Sequence, residues 1–281
     1  MTNKDELQRY IQESEEKEKR LEEYYQACVT GEIDNIKTNT EDLNIIYEPR
    51  KFKNAIVKAT STNQYEIIKY LFDIFDEEVK KGDLLASQNP RYMNQLRYHG
   101  SHFNFDNYEN PILVTCKNGY LNIFKLFFER LGGLSIHRYE RCSMYASQQG
   151  QLEIMKFLLS TSDAKTYINQ KKYYNHILFP SSIKGNNVTK YFLDNENLSI
   201  HVKQLPLLER AYENSNKEII DYLIFEKNML YSKKIRKAVE GMVNEEYNIP
   251  ELFKKRNEMQ ELSQELEENP INSENKRRLK I

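Results

Sequence analysis

Apolar residues along this chain come in short bursts at helical spacing, parted by polar turns. The clearest case is NPILVTCKNGYLNIFKLFFERLGG, residues 110–133. Asn110 can cap a helix with its side-chain carbonyl, and Pro111 suits the first helical position, where a missing N–H costs nothing. Gly119 then ends that helix in the left-handed conformation. Leu121, Ile123, Phe124, Leu126, Phe127, Phe128 and Leu131 cover most of a second helix, leaving Asn122, Lys125, Glu129 and Arg130 for water, and Gly132 and Gly133 stop it. Isolated helices shorter than about 12–15 residues are marginal in water. Both halves of this pair are short, so the pair needs neighbours.

The same spacing recurs. With Gly119 as zero, the pattern asks for a small residue four before, and apolar residues at plus four or five, plus seven and plus eight. Ala59, Asn63, Ile67, Tyr70 and Leu71 satisfy it, as do Ala146, Gly150, Ile154, Phe157 and Leu158, and Ala211, Ser215, Ile219, Tyr222 and Leu223. Weaker copies are Lys184 with Val188, Tyr191 and Phe192, and Gly31 with Ala27 and Ile36, the last cut off before its apolar pair. The zero positions 31, 63, 119, 150, 184 and 215 are separated by 32, 56, 31, 34 and 31 residues. A period near 33 with two helices per unit predicts a solenoid, in which each unit buries its apolar side on the next.

The residues carrying that period resemble the ankyrin repeat family. Asn110–Thr115 (N-P-I-L-V-T) stands where the family has T-P-L-H-x-A, and Gly119 with Ile123, Leu126 and Phe127 stands where it has its glycine, valine and leucine pair. The resemblance spans about residues 22–225. The family's histidine is replaced by Leu113, Val57, Met144, Leu178 and Glu209, so any hydrogen bonding that depends on it is lost here. A tetratricopeptide array has a period of about 34, but the Trp and Leu-Gly signals of its longer first helix are missing. The expected fold is therefore all-α: an ankyrin-type helical solenoid of about six degenerate repeats with helical caps at both ends.

The flanks fill in the rest. Residues 1–21 read as a charged N-terminal helix, with Leu7, Tyr10 and Ile11 on one face and the run QESEEKEKR as a solvated surface or polar cap. The long 56-residue interval holds an insertion at about 76–108. Residues 226–268 read as two capping helices, the first carrying Ile235, Val239, Met242 and Val243, the second Leu252, Phe253, Met259, Leu262 and Leu266. Residues 269–281 form a basic tail.

Composition narrows the function. A net charge of −1 with 30% charged residues offers no basic excess for nucleic acid or anionic lipid. Three scattered cysteines, Cys28, Cys116 and Cys142, make no disulfide framework and fit a reducing, cytoplasmic setting. The polar start and the lack of a long apolar run predict no secretory leader and no membrane span. Phosphate-cradling and nucleophile motifs are missing, and the cysteines fall at or near positions the repeat pattern buries, so neither enzyme activity nor a cofactor is expected. His99 and His102 form an HxxH pair that could reach Asp106 or Cys116. Zinc, however, takes three or four ligands at paired spacings, and no metal site is assigned.

What the ankyrin resemblance implies is binding of another protein through first helices and loops on a concave face. The variable positions lie five, two and one before each zero. They are Lys58, Ser61 and Thr62; Val114, Lys117 and Asn118; Tyr145, Gln148 and Gln149; Phe179, Ser182 and Ile183; and Arg210, Glu213 and Asn214. In the insertion, Tyr98, His99, His102, Phe103, Phe105 and Tyr108 fit two readings equally, aromatic anchors of the kind that dominate interfaces or a cover folded back over neighbouring helices. Degenerate arrays rich in Asn, Lys, Ile and Tyr resemble those of viruses and host-associated bacteria, which implies a module that blocks a host factor. Two alternatives remain: a scaffold or ubiquitin-ligase adaptor acting through the C-terminal helices, and, less favoured, a metal-dependent or cysteine enzyme.

Overall fold

The computed structural model describes residues 3–86, 111–130, 133–134, 136–161, 185–195, 204–244 and 247–268, and these are helical almost throughout. The class is all-α, with Val243 and Asn248 forming an isolated antiparallel bridge. The chain divides into two compact units, Met1–Ala146 with Lys156–Asp163, and Ser147–Met155 with Ala164–Ile281.

In chain order the helices are α1 (Asn3–Thr30), α2 (Ile33–Asn39), α3 (Pro49–Ser61), α4 (Tyr65–Ala86), α5 (Pro111–Asn118), α6 (Leu121–Arg130), α7 (Ile136–Gln148) and α8 (Leu152–Ser160). They continue with α9 (Asn186–Asp194), α10 (Gln204–Glu213), α11 (Lys217–Asp221), α12 (Lys233–Val239) and α13 (Ile249–Glu268). A π-helical turn, Tyr222–Glu226, prolongs α11.

One backbone device recurs between paired helices. Gly31, Asn63, Gly119, Gly150 and Ser215 all have positive φ, at 89°, 63°, 79°, 70° and 52°. Two residues beyond each, the N–H of Ile33, Tyr65, Leu121, Leu152 or Lys217 returns to the carbonyl of that residue at 2.8–3.1 Å. One residue beyond, Glu32, Gln64, Tyr120 and Asn216 donate to Ala27, Ala59, Thr115 and Ala211. This is the Schellman closure, in which a left-handed residue lets the chain satisfy the orphan carbonyls at a helix end. It also explains the small residue four before zero. That residue is the last-turn acceptor at Ala27, Ala59, Thr115 and Ala211, and these four and Ala146 are all buried.

The left-handed region costs an L-residue roughly 1–2 kcal/mol, which glycine avoids at an entropic cost of roughly 0.5–1 kcal/mol. Ser215 is exposed and sits in that region. Ser215→Gly is therefore expected to stabilise the chain by up to about 1 kcal/mol. A lower denaturation midpoint for the variant would contradict this reading of the turn.

The second helix of each pair buries its residues at plus four, plus five and plus eight: Ile67, Ile68 and Leu71; Ile123, Phe124 and Phe127; Ile154, Met155 and Leu158; Val188, Thr189 and Phe192; Ile219, Ile220 and Leu223. Plus seven differs from expectation, because Tyr70, Leu126, Phe157, Tyr191 and Tyr222 are only half-buried. At 100° per residue, plus seven falls on the shoulder of the arc that plus four, five and eight share. Plus nine completes that arc where Phe72, Leu193 and Ile224 are buried.

In the first unit α1 packs on α2 and α3, α3 on α4 and α5, α4 on α6, and α5 on α6. Rings link these layers: Phe72 stands edge-on to Phe127 at 5.7 Å, and Phe52 stacks on Phe75 at 5.5 Å. The truncated first copy finds its core just after α2, where Leu43, Ile45 and Ile46 are buried and the Tyr24 hydroxyl meets that of Thr40 at 3.0 Å. In the second unit α11 packs on α9 and α10, and α13 packs on α12 and the π-helical turn.

Two helices run past the limits read from the sequence. Helix α1 runs unbroken through residue 21, so the charged segment and the first repeat helix are one element. Helix α4 continues to Ala86, so the first part of the expected insertion at 76–108 is a helical extension. The C-terminal helices form, but Val243, Met259, Leu262 and Leu266 are exposed rather than buried, and Leu7, Tyr10 and Ile11 of α1 are exposed too. Among the described residues no helix is long and apolar enough to cross a membrane.

Candidate functional site

The expected recognition positions lie at the C-terminal ends of first helices, where the last carbonyls lack helical partners. Part of the row serves those carbonyls. Ser61 and Thr62 donate their hydroxyls to the Lys58 carbonyl at 2.7 and 3.5 Å. The Asn118 amide donates to Val114 at 3.1 Å, and that of Asn214 to Arg210 at 2.8 Å. These four side chains are turned back onto their own helices, and Val114 is half-buried.

The rest of the row reaches outward. In the first unit Lys58 and Lys117 are exposed, on the adjacent helices α3 and α5, and Tyr145 is half-buried. In the second unit Gln148 and Gln149 are half-buried, while Arg210 and Glu213 are exposed and paired at 2.8 Å. Tyr98, His99, His102, Phe103, Phe105 and Tyr108 of the insertion lie outside the described residues, as do Phe179, Ser182 and Ile183.

A second surface went unnoticed in the sequence. The Lys37 ammonium lies 6.0 Å from the Tyr70 ring, that of Lys125 5.5 Å from Phe157, and that of Lys190 5.0 Å from Tyr222. Each lysine is six past one zero position, and each ring is seven past the next. The half-buried plus-seven side chain thus serves as a platform for a cation from the preceding copy, a contact worth roughly 0.5–1 kcal/mol at an exposed site. Where the next copy offers Leu126 instead of a ring, Lys69 pairs within its own helix with Asp73 at 2.9 Å. The neighbouring residues Lys69-Tyr70, Lys156-Phe157 and Lys190-Tyr191 were the available signal.

Tyr222 is the most elaborated of these platforms. Lys227 approaches the same ring at 5.7 Å, the Tyr222 hydroxyl donates to Asp194, and Lys227 pairs with that carboxylate at 2.5 Å. Lys190 pairs with Glu218 at 2.7 Å, and the other Glu218 oxygen accepts from the Asn186 amide at 2.6 Å. Burial pushes the Tyr222 hydroxyl upward, and Asp194 adds to the rise. Burial also works upward on the Asp194 carboxyl, but the bonds from Lys227 and Tyr222 outweigh it and hold the group below the usual carboxylate range. Glu218 is lowered by Lys190 and Asn186.

Beside this network lies a groove of about 690 Å³, floored by Tyr222, Phe225 and Leu252 and edged by Lys217, Asp221, Glu226 and Lys255. A smaller hollow of about 200 Å³ lies between α2 and α4 at Ile33, Lys37, Glu66 and Tyr70. The smaller falls between second helices of consecutive copies, and the larger lies where α9, α11 and the π-helical turn meet α13. Their charged rims and aromatic floors suit a peptide or helix surface.

The cysteines are sheltered. Cys28, Cys116 and Cys142 are free and buried. Burial pushes the Cys28 thiol up to about 12, and burial with Cys142 alongside raises Cys116 as well. The nucleophilic thiolate of Cys28 and Cys116 is therefore scarce at neutral pH. Among the described residues no group of three or more His, Cys, Asp or Glu is placed to hold a metal ion. Comparisons with protein-family models, with curated proteins and with solved structures find no match.

Proposed function

We propose that the chain is a non-catalytic protein-binding module built as a degenerate ankyrin-type array. It grips its partner along the row of first-helix ends. The observation that carries this reading is the recurrence, at the period found in the sequence, of one left-handed turn with the same backbone hydrogen bonds and the same buried second-helix positions. Units of this kind bury their apolar sides on each other and leave a row of outward side chains that can vary without cost to the core. Lys58, Lys117 and Tyr145 supply such side chains in the first unit and Arg210 in the second, with Tyr145 and Arg210 of the residue types that supply hot spots. Buried cysteines support a reducing, cytoplasmic setting, and a near-neutral charge supports a protein rather than a nucleic acid as the partner. Blocking a host factor is the role we assign to it, on the resemblance of its composition to arrays of viruses and host-associated bacteria.

Affinity capture from cells tests the reading. A partner held by the natural chain is expected to fall away from a Lys117→Ala, Tyr145→Ala, Arg210→Ala variant by about 10-fold or more, since each hot spot contributes above about 1 kcal/mol. Lys125→Ala, on the second-helix surface, should leave capture unchanged. Equal loss in both variants would reject the assigned face.

A further inference from the structure

Two of the three sheltered thiols are neighbours. Cys116 on α5 and Cys142 on α7 are both wholly shielded from solvent, and their side chains interact directly. These are the first helices of consecutive copies, with zero positions at Gly119 and Gly150, and both cysteines belong to the first unit. Cys28 holds the same place in its copy as Cys116, three before zero, yet burial alone acts on it. The thiol pair therefore belongs to this one junction. Helices packed side by side stand roughly 8–10 Å apart and carry their Cα atoms about 2.3 Å from each axis, which leaves facing Cα atoms about 5 Å apart. A disulfide spans about 4.4–6.8 Å between Cα atoms, so two facing cysteines can be joined with little backbone movement.

We infer that Cys116 and Cys142 form a redox-sensitive latch, two packing side chains when reduced and a disulfide between α5 and α7 after exposure to peroxide. One thiolate attacks a peroxide oxygen and becomes a sulfenic acid, releasing the other oxygen as water. The second thiol attacks that sulfur and expels its oxygen as a second water, closing the S–S bond. The two sulfurs give up two electrons to one hydrogen peroxide, and the two thiol protons leave in the two waters. Burial and the neighbouring Cys142 hold the Cys116 thiol in its protonated form, so the first step waits for a brief local opening. The latch thus answers sustained oxidation and ignores a passing pulse. Lys117 follows Cys116 directly, and Tyr145 lies one helical turn beyond Cys142. Closing the latch therefore fixes the spacing of two row residues, a consequence that rests on the function proposed above while the link itself does not.

Prolonged treatment of the folded full chain with hydrogen peroxide tests this. Remaining thiols are alkylated in denaturant, and the digest is mapped by mass without reductant. The expected product is a single link within one chain, Cys116 to Cys142, with two hydrogens lost and Cys28 alkylated, and dithiothreitol should restore all three thiols. Linked protein should unfold at a higher urea midpoint than reduced protein, because the link closes a loop in the unfolded chain. Cys142→Ala should abolish the link and the midpoint shift together. If that variant folds poorly, Cys116→Ala supplies the same reading, and the map of the natural chain needs neither. Cys116 and Cys142 both still alkylated after treatment would overturn the proposal. So would either one oxidised singly to a sulfinic acid, a link that engages Cys28 or joins two chains, or a midpoint that falls on linking. None of these readouts uses a binding partner, so failure here leaves the function proposed above untouched.

Discussion

Phe124→Ala is expected to lower the stability of the chain by about 3–5 kcal/mol, the usual cost of emptying a fully buried aromatic site. Phe124 is wholly shielded from solvent. Its ring meets Phe157 edge-on at 5.8 Å and tilts against Phe128 at 6.4 Å, while Phe128 is itself edge-on to Phe157 at 5.3 Å. Three rings from α6 and α8 thus share one contact, and removing the central one leaves a void that two rigid neighbours cannot fill. Domains are commonly stable by only about 5–15 kcal/mol, so the variant should be near the edge of folding. Urea unfolding followed by circular dichroism measures this, with the midpoint shifted and the slope little changed. A loss below about 1 kcal/mol would mean that the site collapses freely and that the ring cluster is not a rigid core.

Arg256→Met should have the next largest effect, about 2–4 kcal/mol, by freeing buried carbonyls that now receive a charged donor. The Arg256 side chain packs inward with the residue only 7% exposed. Its Nη1 donates to the Met229 carbonyl at 2.5 Å and to that of Ile224 at 3.4 Å, and the guanidinium lies 5.2 Å from the Phe253 ring, which in turn stacks on Tyr231 at 4.4 Å. Ile224 lies within the π-helical turn and Met229 just beyond it, and Arg256 ties both carbonyls to α13. Arg256→Lys should recover little, since one ammonium cannot serve both carbonyls and lie flat on the ring. Hydrogen exchange offers the sharper measurement. Protection should fall in α13 and around residues 222–229 of the variant and remain in α6, and an even loss throughout would argue against a local clamp.

These two sites differ in how readable they were. Phe124 was legible, because it lies at plus five of the best copy and the helical pattern puts that position inward. The turns were legible too where glycine marks them, as at Gly31, Gly119 and Gly150. Asn63 and Ser215 were found only by register, since their side chains say little about a left-handed backbone. Arg256 was not legible. An arginine in KKR on a charged helix ordinarily faces water, and its burial depends on carbonyls in and just after a π-helical turn about 30 residues earlier. The lysine platforms were hidden for a similar reason, because each joins one copy to the next and no periodicity within a single helix reports it. Helix α4 outran its expected end because charged residues from Asp76 to Asp83 look like a loop, yet suit a helix with one side in solvent. At the C-terminus the pattern was right and the inference from it incomplete. Met259, Leu262 and Leu266 do share a helical stripe, but a stripe specifies a covered face without saying which molecule covers it.

The three sheltered sulfurs lie in α1, α5 and α7, the first helices of three separate copies in one unit. Each is a built-in clock for its own copy, since an alkylating reagent can reach it only while that stretch of chain is briefly undone. Read sulfur by sulfur, the rates of modification would show whether neighbouring copies breathe one at a time or let go together.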